Sequence, residues 1–242
     1  MSASQIFKLY QLVFKSRKHL LEMLEDRGFN VEDLKNYTED EIKIMLNEHN
    51  NGKFDQLADK GPLDILLEKS VIRDKTGIPV IEKIYVKYRL DDKFKGTTSL
   101  SNQINEIYES LLTVKDTLVI INISRILMKI GMKDKIDEEY VNHIYITKNY
   151  FVQIFGLENF LFNVSHHQLV PKHRILIWND TLKIDETAAL LSNYNCSLKN
   201  LPTIKRDDAQ AKYIGLKPKQ VCEILVNNVT SGIARKYRLC VN

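Results

Sequence analysis

The sequence is poor in cysteine and in glycine, and both shortages exclude whole classes of function. Only three of its 242 residues are cysteines, Cys196, Cys222 and Cys240, and they are odd in number and far apart. A disulfide framework is therefore not expected, and the pattern fits a reducing compartment. Nine glycines leave few places for a loop that cradles phosphate, and the sequence has neither a Walker loop nor a Gly-x-Gly-x-x-Gly fingerprint.

Long apolar runs and linker-like stretches are also missing. No apolar run approaches the roughly 20 residues that a membrane-spanning helix needs, and Met1–Leu12 lacks the pattern of a signal peptide. Tracts rich in glycine, serine or proline and internal repeats are absent. With 44% hydrophobic residues, the chain has enough apolar side chains for one large core or two small ones. We expect no association with a membrane.

Charge is distributed unevenly along the chain. Residues 164–242 carry 12 Lys and Arg against 6 Asp and Glu, a net +6, whereas residues 1–163 carry 23 against 25, a net −2. A basic C-terminal segment can meet nucleic acid or an acidic protein surface, and charge alone does not choose between them. No run of five basic residues occurs, so a protein interface is at least as well supported as a nucleic-acid site.

Periodicity in the N-terminal half predicts a helix followed by an α/β layer. Apolar residues at helical spacing predict the helices Ser4–Gly28, Thr38–Asn47 and Ser101–Leu112. Gly28 fits a C-terminal cap, and Thr38 with Glu41 forms a capping box. Two strands are predicted, the alternating Ile81–Leu90 and the apolar Thr117–Ile123. The remaining segments are predicted as a surface connection over Lys129–Asp137 and as short strands or turns over Val141–Phe155 and Leu161–Val164.

The C-terminal part predicts a small sheet covered by two helices, which is an α+β module. Pro171 forces an extended conformation on Val170. The predicted elements are helices over Asp185–Leu191 and Asp207–Tyr213, the second broken at Gly215, an exit from the first helix over Asn193–Asn200, and strands over Val221–Val226 and Ala234–Val241 joined by the turn Asn227–Gly232.

Residue clusters of the kind that carry catalysis or bind metal are incomplete. His166, His167 and His173 lie close together, but no Cys-x-x-Cys pair accompanies them, and adjacent histidines on a strand point to opposite faces. Ser165, His166 and Asp185 lack the Gly-x-Ser-x-Gly elbow that presents a nucleophile. We therefore predict no catalytic residues, no metal site and no cofactor.

Four clusters occur in a fixed order over the last 80 residues: Asn163–Arg174, Leu201–Asp208, Tyr213–Lys217 and Thr230–Cys240. Together they resemble the C-terminal assembly domain of the fifth-largest subunit shared by the eukaryotic nuclear RNA polymerases. The archaeal polymerase counterpart of this subunit is essentially the assembly domain alone. In the N-terminal half, Met23–Phe29 is similar to the end of the first helix of the eukaryotic jaw domain.

This resemblance implies a fold, a function and a set of partners. Residues 1–160 would form a non-catalytic α/β jaw domain with a restriction-endonuclease-like layout, and residues 161–242 the α+β assembly domain. The chain would be a non-catalytic subunit of a multisubunit DNA-directed RNA polymerase. Its assembly domain would dock on the largest subunit among other polymerase subunits, and its jaw would lie near downstream duplex DNA, with weak and non-specific contacts.

An interface follows from the same resemblance. Lys172, Arg174, Arg206, Lys217 and Arg238 are basic residues within the matched clusters, and arginine holds a carboxylate or phosphate with two parallel hydrogen bonds. The full predicted interface is His166, His167, Pro171, Lys172, His173, Arg174, Arg206, Asp207, Gly215, Lys217, Thr230, Gly232, Tyr237 and Arg238.

The main alternative is a free-standing DNA-binding or nuclease-like protein. Restriction-type nucleases place an acidic residue and an Asp/Glu-x-Lys pair around a metal ion. Asp91-Asp92-Lys93 has this spacing after the predicted strand Ile81–Leu90, and Asp64 lies upstream as a partner. The same pattern is frequent in surface turns, so the subunit interpretation is preferred.

Several positions depart from the family pattern. Asp208-Ala209 stands where the family usually has Asp-Pro, Lys217-Pro218-Lys219 replaces a Lys-Arg-Gly turn, and Asn228-Val229 replaces a Ser-Glu pair. Pro218 can still keep a turn through its fixed φ. Lys outnumbers Arg 26 to 9, as in AT-rich genomes. This divergence favours a large DNA virus with its own polymerase, and hence a virion or cytoplasmic viral factory, over a cellular source and the nucleus.

Overall fold

Two units make up the part of the chain described by the computed structural model, which covers residues 3–51, 60–73, 75–89, 97–122, 133–228, 230 and 232–242. The first unit comprises Met1–Lys69 and Glu82–Phe162, and the second comprises Ser70–Ile81 and Asn163–Asn242. Within these described ranges, no helix combines the length and the apolar character that a membrane crossing requires.

The first sheet is an α/β layer, as the sequence predicts. Its strands lie in the order β1-β2-β3-β4, and β2, β3 and β4 are parallel. Helix α4 lies between β2 and β3 in the chain, and α5 between β3 and β4. The elements are α1 Ala3–Asp26, α2 Glu32–Lys35, α3 Glu39–Asn51, β1 Ile65–Ile72, β2 Pro79–Arg89, α4 Thr97–Ser110, β3 Thr117–Asn122, α5 Lys133–Lys148, β4 Phe151–Gly156 and a 3-10 turn at Leu157–Phe160.

Both faces of this sheet are covered by helices. On one face, Leu118 and Ile120 pack with Ile104 and Ile107 of α4 and with Val141 of α5. On the other face, Arg27 at the end of α1 donates a hydrogen bond to Gln153 of β4 at 2.8 Å. The residues of β3 from 118 to 121 are therefore all buried, which is why this strand has an uninterrupted apolar sequence.

The capping residues predicted at two helix ends are confirmed, although the observed helix bounds differ from the predicted bounds by a few residues. Helix α1 ends at Asp26, where the N–H of Gly28, at φ +83°, donates to Glu25 O at 2.7 Å and the N–H of Phe29 donates to Leu24 O at 3.1 Å. This pattern is a Schellman motif, which favours glycine at the left-handed position. At α3, Thr38 N–H donates to the carboxylate of Glu41 at 2.7 Å, so the predicted capping box is present.

Two predictions for the first unit are wrong. The described part of Lys129–Asp137 and the beginning of Val141–Phe155 belong to helix α5, and only β4 in that region is a strand. The alternation in β2 predicts a half-buried strand, yet residues 84–88 are all buried, Lys87 included, and so is Glu82, whereas Ile81 is 58% exposed. Lys87 is buried because its ammonium group meets the carboxylate of Asp64 at 2.7 Å.

The second unit is the predicted α+β module, with more strands than the sequence indicates. Its main sheet has the order β5-β9-β10-β8, in which β5, β9 and β10 are antiparallel neighbours and β8 runs parallel to β10. Strands β6 and β7 form a separate pair. The elements are a 3-10 turn Val164–His166, β5 Lys172–Ile175, β6 Trp178–Asn179, β7 Ile184–Asp185, α6 Glu186–Asn193, a 3-10 turn Leu198–Asn200, β8 Thr203–Lys205, α7 Ala209–Ile214, β9 Val221–Asn228 and β10 Gly232–Val241.

One helix packs on each face of this sheet. Ala211 of α7 contacts the face formed by Cys222, Ile224 and Cys240, whereas Leu190 of α6 contacts the face that carries Val221. Cys222 and Cys240 are buried free thiols and serve as core residues. The expected cover of two helices is confirmed, while the short strands β5 to β8 escaped prediction because two to four residues give too little periodicity.

Candidate docking surface

The sheet of the second unit brings residues from separate sequence clusters into one row. Arg174 of β5 lies opposite Glu223 of β9, and Glu223 lies opposite Tyr237 of β10. Side chains two residues apart on a strand share a face, so Lys172 and Arg235 lie on the same face as this row. The strand register thus explains why clusters some 60 residues apart belong to one surface.

Glu223 is the centre of this row and is only 4% exposed. Arg174 donates to its carboxylate from Nε and Nη2 at 3.1 and 2.8 Å. The Tyr237 hydroxyl donates at 3.2 Å and Arg235 Nη1 at 3.4 Å. Arg174 also donates from Nη1 to Glu186 at 2.6 Å, which ties strand β5 to the first turn of α6.

These contacts determine the protonation state of the row. Burial by itself raises the pKa of Glu223, but the hydrogen bonds and charge of Arg174, together with Tyr237 and Arg235, outweigh it and hold the pKa below its usual range. Burial and the neighbouring carboxylate raise the pKa of the Tyr237 hydroxyl. At neutral pH the row is therefore an ionised carboxylate held by two arginines and a phenol.

The segment before β5 is tied to helix α7. Asn163 Nδ2 donates to the Tyr213 hydroxyl at 3.0 Å, and Ser165 Oγ donates to Gln210 Oε1 at 3.1 Å. These bonds hold the first matched cluster, to which His166 and His167 belong, against α7, whose Tyr213 begins the third cluster. Leu169, in the same segment, is 85% exposed.

The three histidines of this region have different surroundings. His166 and His167 are exposed, and His167 Nδ1 accepts a hydrogen bond from the N–H of Leu169 at 3.3 Å. The half-buried His173 has its Nδ1 2.8 Å from the carbonyl of Pro171. Within the described ranges, no three His, Cys, Asp or Glu side chains are grouped so that they could hold a metal ion.

The predicted interface residues fall into three groups by exposure. Eight are exposed: His166, His167, Lys172, Arg174, Asp207, Thr230, Gly232 and Arg238. Five are half-buried: Pro171, His173, Gly215, Lys217 and Tyr237. Only Arg206 is buried, at 4% exposure. A partner can reach the first group directly, so these residues are the candidate docking surface.

Arg206 and Gly215 are explained by the fold of the second unit itself. Arg206 follows β8, its N–H donates to Val241 O at 2.9 Å, and its side chain is buried. Its expected place on a docking surface does not agree with this burial. Gly215, at φ +72°, ends α7 in a Schellman motif, because its N–H donates to Lys212 O and the N–H of Leu216 donates to Ala211 O.

The region that contains this surface matches a known family. The family model for RNA polymerase Rpb5, C-terminal domain, matches residues 162–240. DNA-directed RNA polymerase subunit Rpo5 of Pyrococcus abyssi is 39% identical over 80 residues, which are 33% of this chain and 90% of the relative. The chain belongs to the Rpb5 family of RNA polymerase subunits.

Two eukaryotic members of the Rpb5 family show how far the likeness extends. A subunit of DNA-directed RNA polymerases I, II and III from Dictyostelium discoideum is 36% identical over 94 residues, 39% of this chain and 45% of the relative. DNA-directed RNA polymerase subunit 5-like protein 1 of Arabidopsis thaliana is 26% identical over 237 residues, 95% of either chain. The higher identities, 36% and 39%, are found over the shorter alignments. The alignment at 26% identity is longer and extends through the N-terminal half.

Two of the three departures from the Rpb5 family pattern have local explanations, and Val229 of the third lies outside the described residues. Gln220 N–H donates to Lys217 O at 3.1 Å across Pro218 and Lys219, so the turn is kept as expected from Pro218. Lys219 has φ +74°, the conformation that glycine would adopt more easily at this position. Asp208 caps α7 by accepting from the N–H of Gln210 and Ala211, and Ala209 occupies the first helical position, where proline is also favoured.

The acidic residue of the nuclease-like alternative is fully engaged in the first unit. Asp64 accepts hydrogen bonds from Gly61 N–H at 2.7 Å, Tyr85 OH at 3.1 Å, Lys87 Nζ at 2.7 Å and Tyr88 N–H at 2.9 Å. Both of its oxygens therefore already have donors within this network. Asp91, Asp92 and Lys93, the other members of that alternative, lie outside the described residues.

Glu223, the residue that organises the candidate surface, is not among the interface residues predicted from the sequence. It lies within the apolar run Val221–Val226, where the alternation of a strand places it on one face with Val221 and Leu225. A single acidic residue inside an otherwise apolar strand is a signal that a cationic partner is required, because an unpaired buried carboxylate is costly.

Proposed function

We propose that this chain is a non-catalytic subunit of a multisubunit DNA-directed RNA polymerase. Residues 161–242 act as its assembly domain and dock on the largest subunit, and residues 1–160 act as a jaw domain near downstream DNA. The observation that carries this proposal is the 90% coverage of the archaeal relative, together with the family match over residues 162–240, which contain the second sheet. A module of this size with its own sheet and cover helices suits a docking role.

The exposed cations of the matched region support docking through the sheet. Lys172 and Arg238 are exposed, and they lie on the two opposite faces of the same four-stranded sheet. Arg238 donates from Nη1 to Thr203 O at 3.1 Å, which holds its stem near β8 while its remaining donors stay accessible. An acidic surface of the largest subunit is the expected counterpart.

The alternative of a free-standing DNA-binding or nuclease-like protein has weaker support. The saturation of Asp64 by four donors argues against a metal site built on this residue. The localisation follows the polymerase: the nucleus for a eukaryotic cellular source, and a virion or cytoplasmic factory for the viral source that the composition favours. The viral source stays a prediction.

Co-purification tests the proposal. A tagged chain, expressed in the organism that encodes it, should elute in equal amount with the two largest polymerase chains, as measured by quantitative mass spectrometry. Reversing two charges, Lys172→Glu with Arg238→Glu, should lower this incorporation about tenfold or more. The matched control is Lys183→Glu with Lys199→Glu, which reverses two exposed lysines of the same unit outside the main sheet.

The test includes two precautions against effects on folding. Arg206 is left unchanged, because a substitution at this buried residue could lower incorporation by unfolding the chain. Circular dichroism of the purified variants checks that both remain folded. If the wild-type chain elutes without polymerase subunits, the free-standing alternative is favoured, and if the double variant incorporates as well as its control, the sheet is not the docking surface.

A further inference from the structure

Strand β10 has one long free edge. It pairs with β9 from Gly232 to Leu239 on one side, but with β8 only from Leu239 to Val241 on the other. In the described part of the second sheet, no strand lies beside the β8 side of residues 232–238. Strand edges of this length offer backbone groups to an incoming strand.

The hydrogen bonds at the end of β10 show which residues face this edge. Cys240 N–H donates to Gln220 O, on the β9 side, whereas Leu239 N–H donates to Pro202 O, on the β8 side. Backbone groups alternate in direction along a strand. Ile233, Arg235 and Tyr237 therefore direct their N–H and C=O groups toward the free edge.

The side chains along this edge are basic. Arg235, Lys236 and Arg238 are exposed, and they alternate between the two faces of the sheet. Arg235 contacts Glu223 through Nη1 at 3.4 Å, yet its side chain is 67% exposed. An added strand would thus meet cations above and below its own plane, which attract acidic side chains and repel a second copy of the same basic edge.

We propose that the free edge of β10 binds an extended, acidic segment of another polymerase subunit by strand addition. The added strand forms hydrogen bonds with the outward backbone groups of Ile233, Arg235 and Tyr237. Its acidic side chains pair with Arg235, Lys236 and Arg238. This mode combines affinity from the backbone with selectivity from charge, and it rests on the proposed role as a polymerase subunit.

A proline substitution tests the backbone contribution separately from charge. Arg235→Pro and Arg235→Thr both remove the guanidinium group, but only proline removes the outward N–H. A proline whose missing N–H faces a free edge is tolerated in a strand, so both variants should fold. Incorporation of tagged Arg235→Pro into the polymerase should be about tenfold lower than that of Arg235→Thr at limiting chain concentration.

Hydrogen exchange provides a second measurement that does not depend on a substitution. In the wild-type chain, the amides of Arg235 and Tyr237 should exchange fast when free and slowly within the purified polymerase. The amides of Ala234 and Lys236, which face β9, should be protected in both states and are the internal control. Charge is tested by Lys236→Glu, which should weaken incorporation, whereas Lys236→Gln should do so less.

Each outcome decides a separate question. Equal incorporation of the proline and threonine variants, or unchanged exchange at Arg235 and Tyr237 after assembly, would overturn strand addition while leaving the subunit role intact. Failure of the wild-type chain to enter the polymerase would instead overturn the proposed function. Slow exchange at these two amides in the free chain would show that the edge is already occupied, and would also refute the proposal.

Discussion

Single residues in the second unit show how a buried charge is kept in a small module. Glu223 lies almost completely out of solvent and accepts hydrogen bonds from Arg174, Tyr237 and Arg235. A buried carboxylate that loses its cationic partner is strongly destabilising, because the desolvation cost then has no compensation. All three guanidinium nitrogens of Arg174 thus donate within the second unit, although its side chain is still 52% exposed.

This arrangement makes stability depend on pH. The pKa of Glu223 is lower in the folded chain than its ordinary value, so its contribution is fully present above the ordinary pKa of about 4.3 and is lost as pH falls through the lower folded value. Between neutral pH and pH ~3, the free energy of unfolding should therefore decrease more for wild type than for Glu223→Gln. Urea unfolding at several pH values measures both slopes.

Two comparisons sharpen this prediction. At neutral pH, Glu223→Gln should cost on the order of 1–2 kcal/mol, since the charge-assisted hydrogen bonds are weakened. Arg174→Gln removes the strongest partner, so the pKa of Glu223 should rise and the loss of stability should begin at a higher pH. If both variants retain the wild-type slope, Glu223 does not control the acid response.

A comparison of the predicted interface residues with their positions in the fold shows which of them the sequence could identify. The clusters lie within the region that matches the family model, and their exposed members, such as Lys172 and Arg238, lie on the sheet. Arg206 and Gly215 were grouped with them because a sequence match does not separate residues that bind a partner from residues that form the fold. Burial and φ make that separation, and both depend on tertiary structure.

At the scale of elements, local chemistry predicted helix ends better than strands. Capping residues act within a few positions, so Gly28 and the Thr38–Glu41 pair could be recognised directly. Helix α5 was not predicted because the charged residues at its start obscure the helical spacing of its few apolar residues in the sequence. The alternation in β2 was misinterpreted because Lys87 is buried by its pairing with Asp64, a residue more than 20 positions away.

Helix α7 provides a prediction at this scale. Asp208 has φ −56° and ψ +138°, an extended conformation that a following proline accepts. Ala209, at the first helical position, needs no hydrogen-bond donor there, since the first N–H groups of a helix have no partner within it. Ala209→Pro should therefore raise the free energy of unfolding by about 0.5–1 kcal/mol, through a smaller entropy of the unfolded chain.

The neighbouring position supplies the control for this substitution. Gln210 N–H donates to the Asp208 carboxylate at 2.9 Å, so Gln210→Pro should destabilise by about 1 kcal/mol or more. Gln210→Ala removes the side-chain contact with Ser165 but keeps the N–H, and so separates the two effects. Urea unfolding of the full chain gives all three values, and destabilisation by Ala209→Pro equal to that of Gln210→Pro would contradict the assignment of Ala209 to the first turn.

At the scale of the whole molecule, charge divides the chain into a weakly acidic and a basic part. Residues 1–163 carry a net −2 and residues 164–242 a net +6. The exposed cations of the second unit, among them Lys172, Lys236 and Arg238, lie on the sheet that we propose as the docking module. In an assembled polymerase, part of this charge would face protein, which leaves little of it for DNA.

The free chain should therefore bind duplex DNA weakly, without sequence preference and with strong dependence on salt. Non-specific affinity comes mainly from neutralised phosphates, and three such contacts give a slope of about −2.7 in log affinity against log salt, or roughly 40-fold between 50 and 200 mM. Fluorescence anisotropy with two unrelated duplexes should give similar dissociation constants of about 10 μM or weaker near physiological salt. The double substitution Lys236→Glu with Arg238→Glu should make the slope of log affinity against log salt less negative by about 2. Lys183→Glu, which lies between β6 and β7, should change this slope less. A nanomolar constant or a clear preference for one duplex would mean that the chain recognises DNA independently of a polymerase.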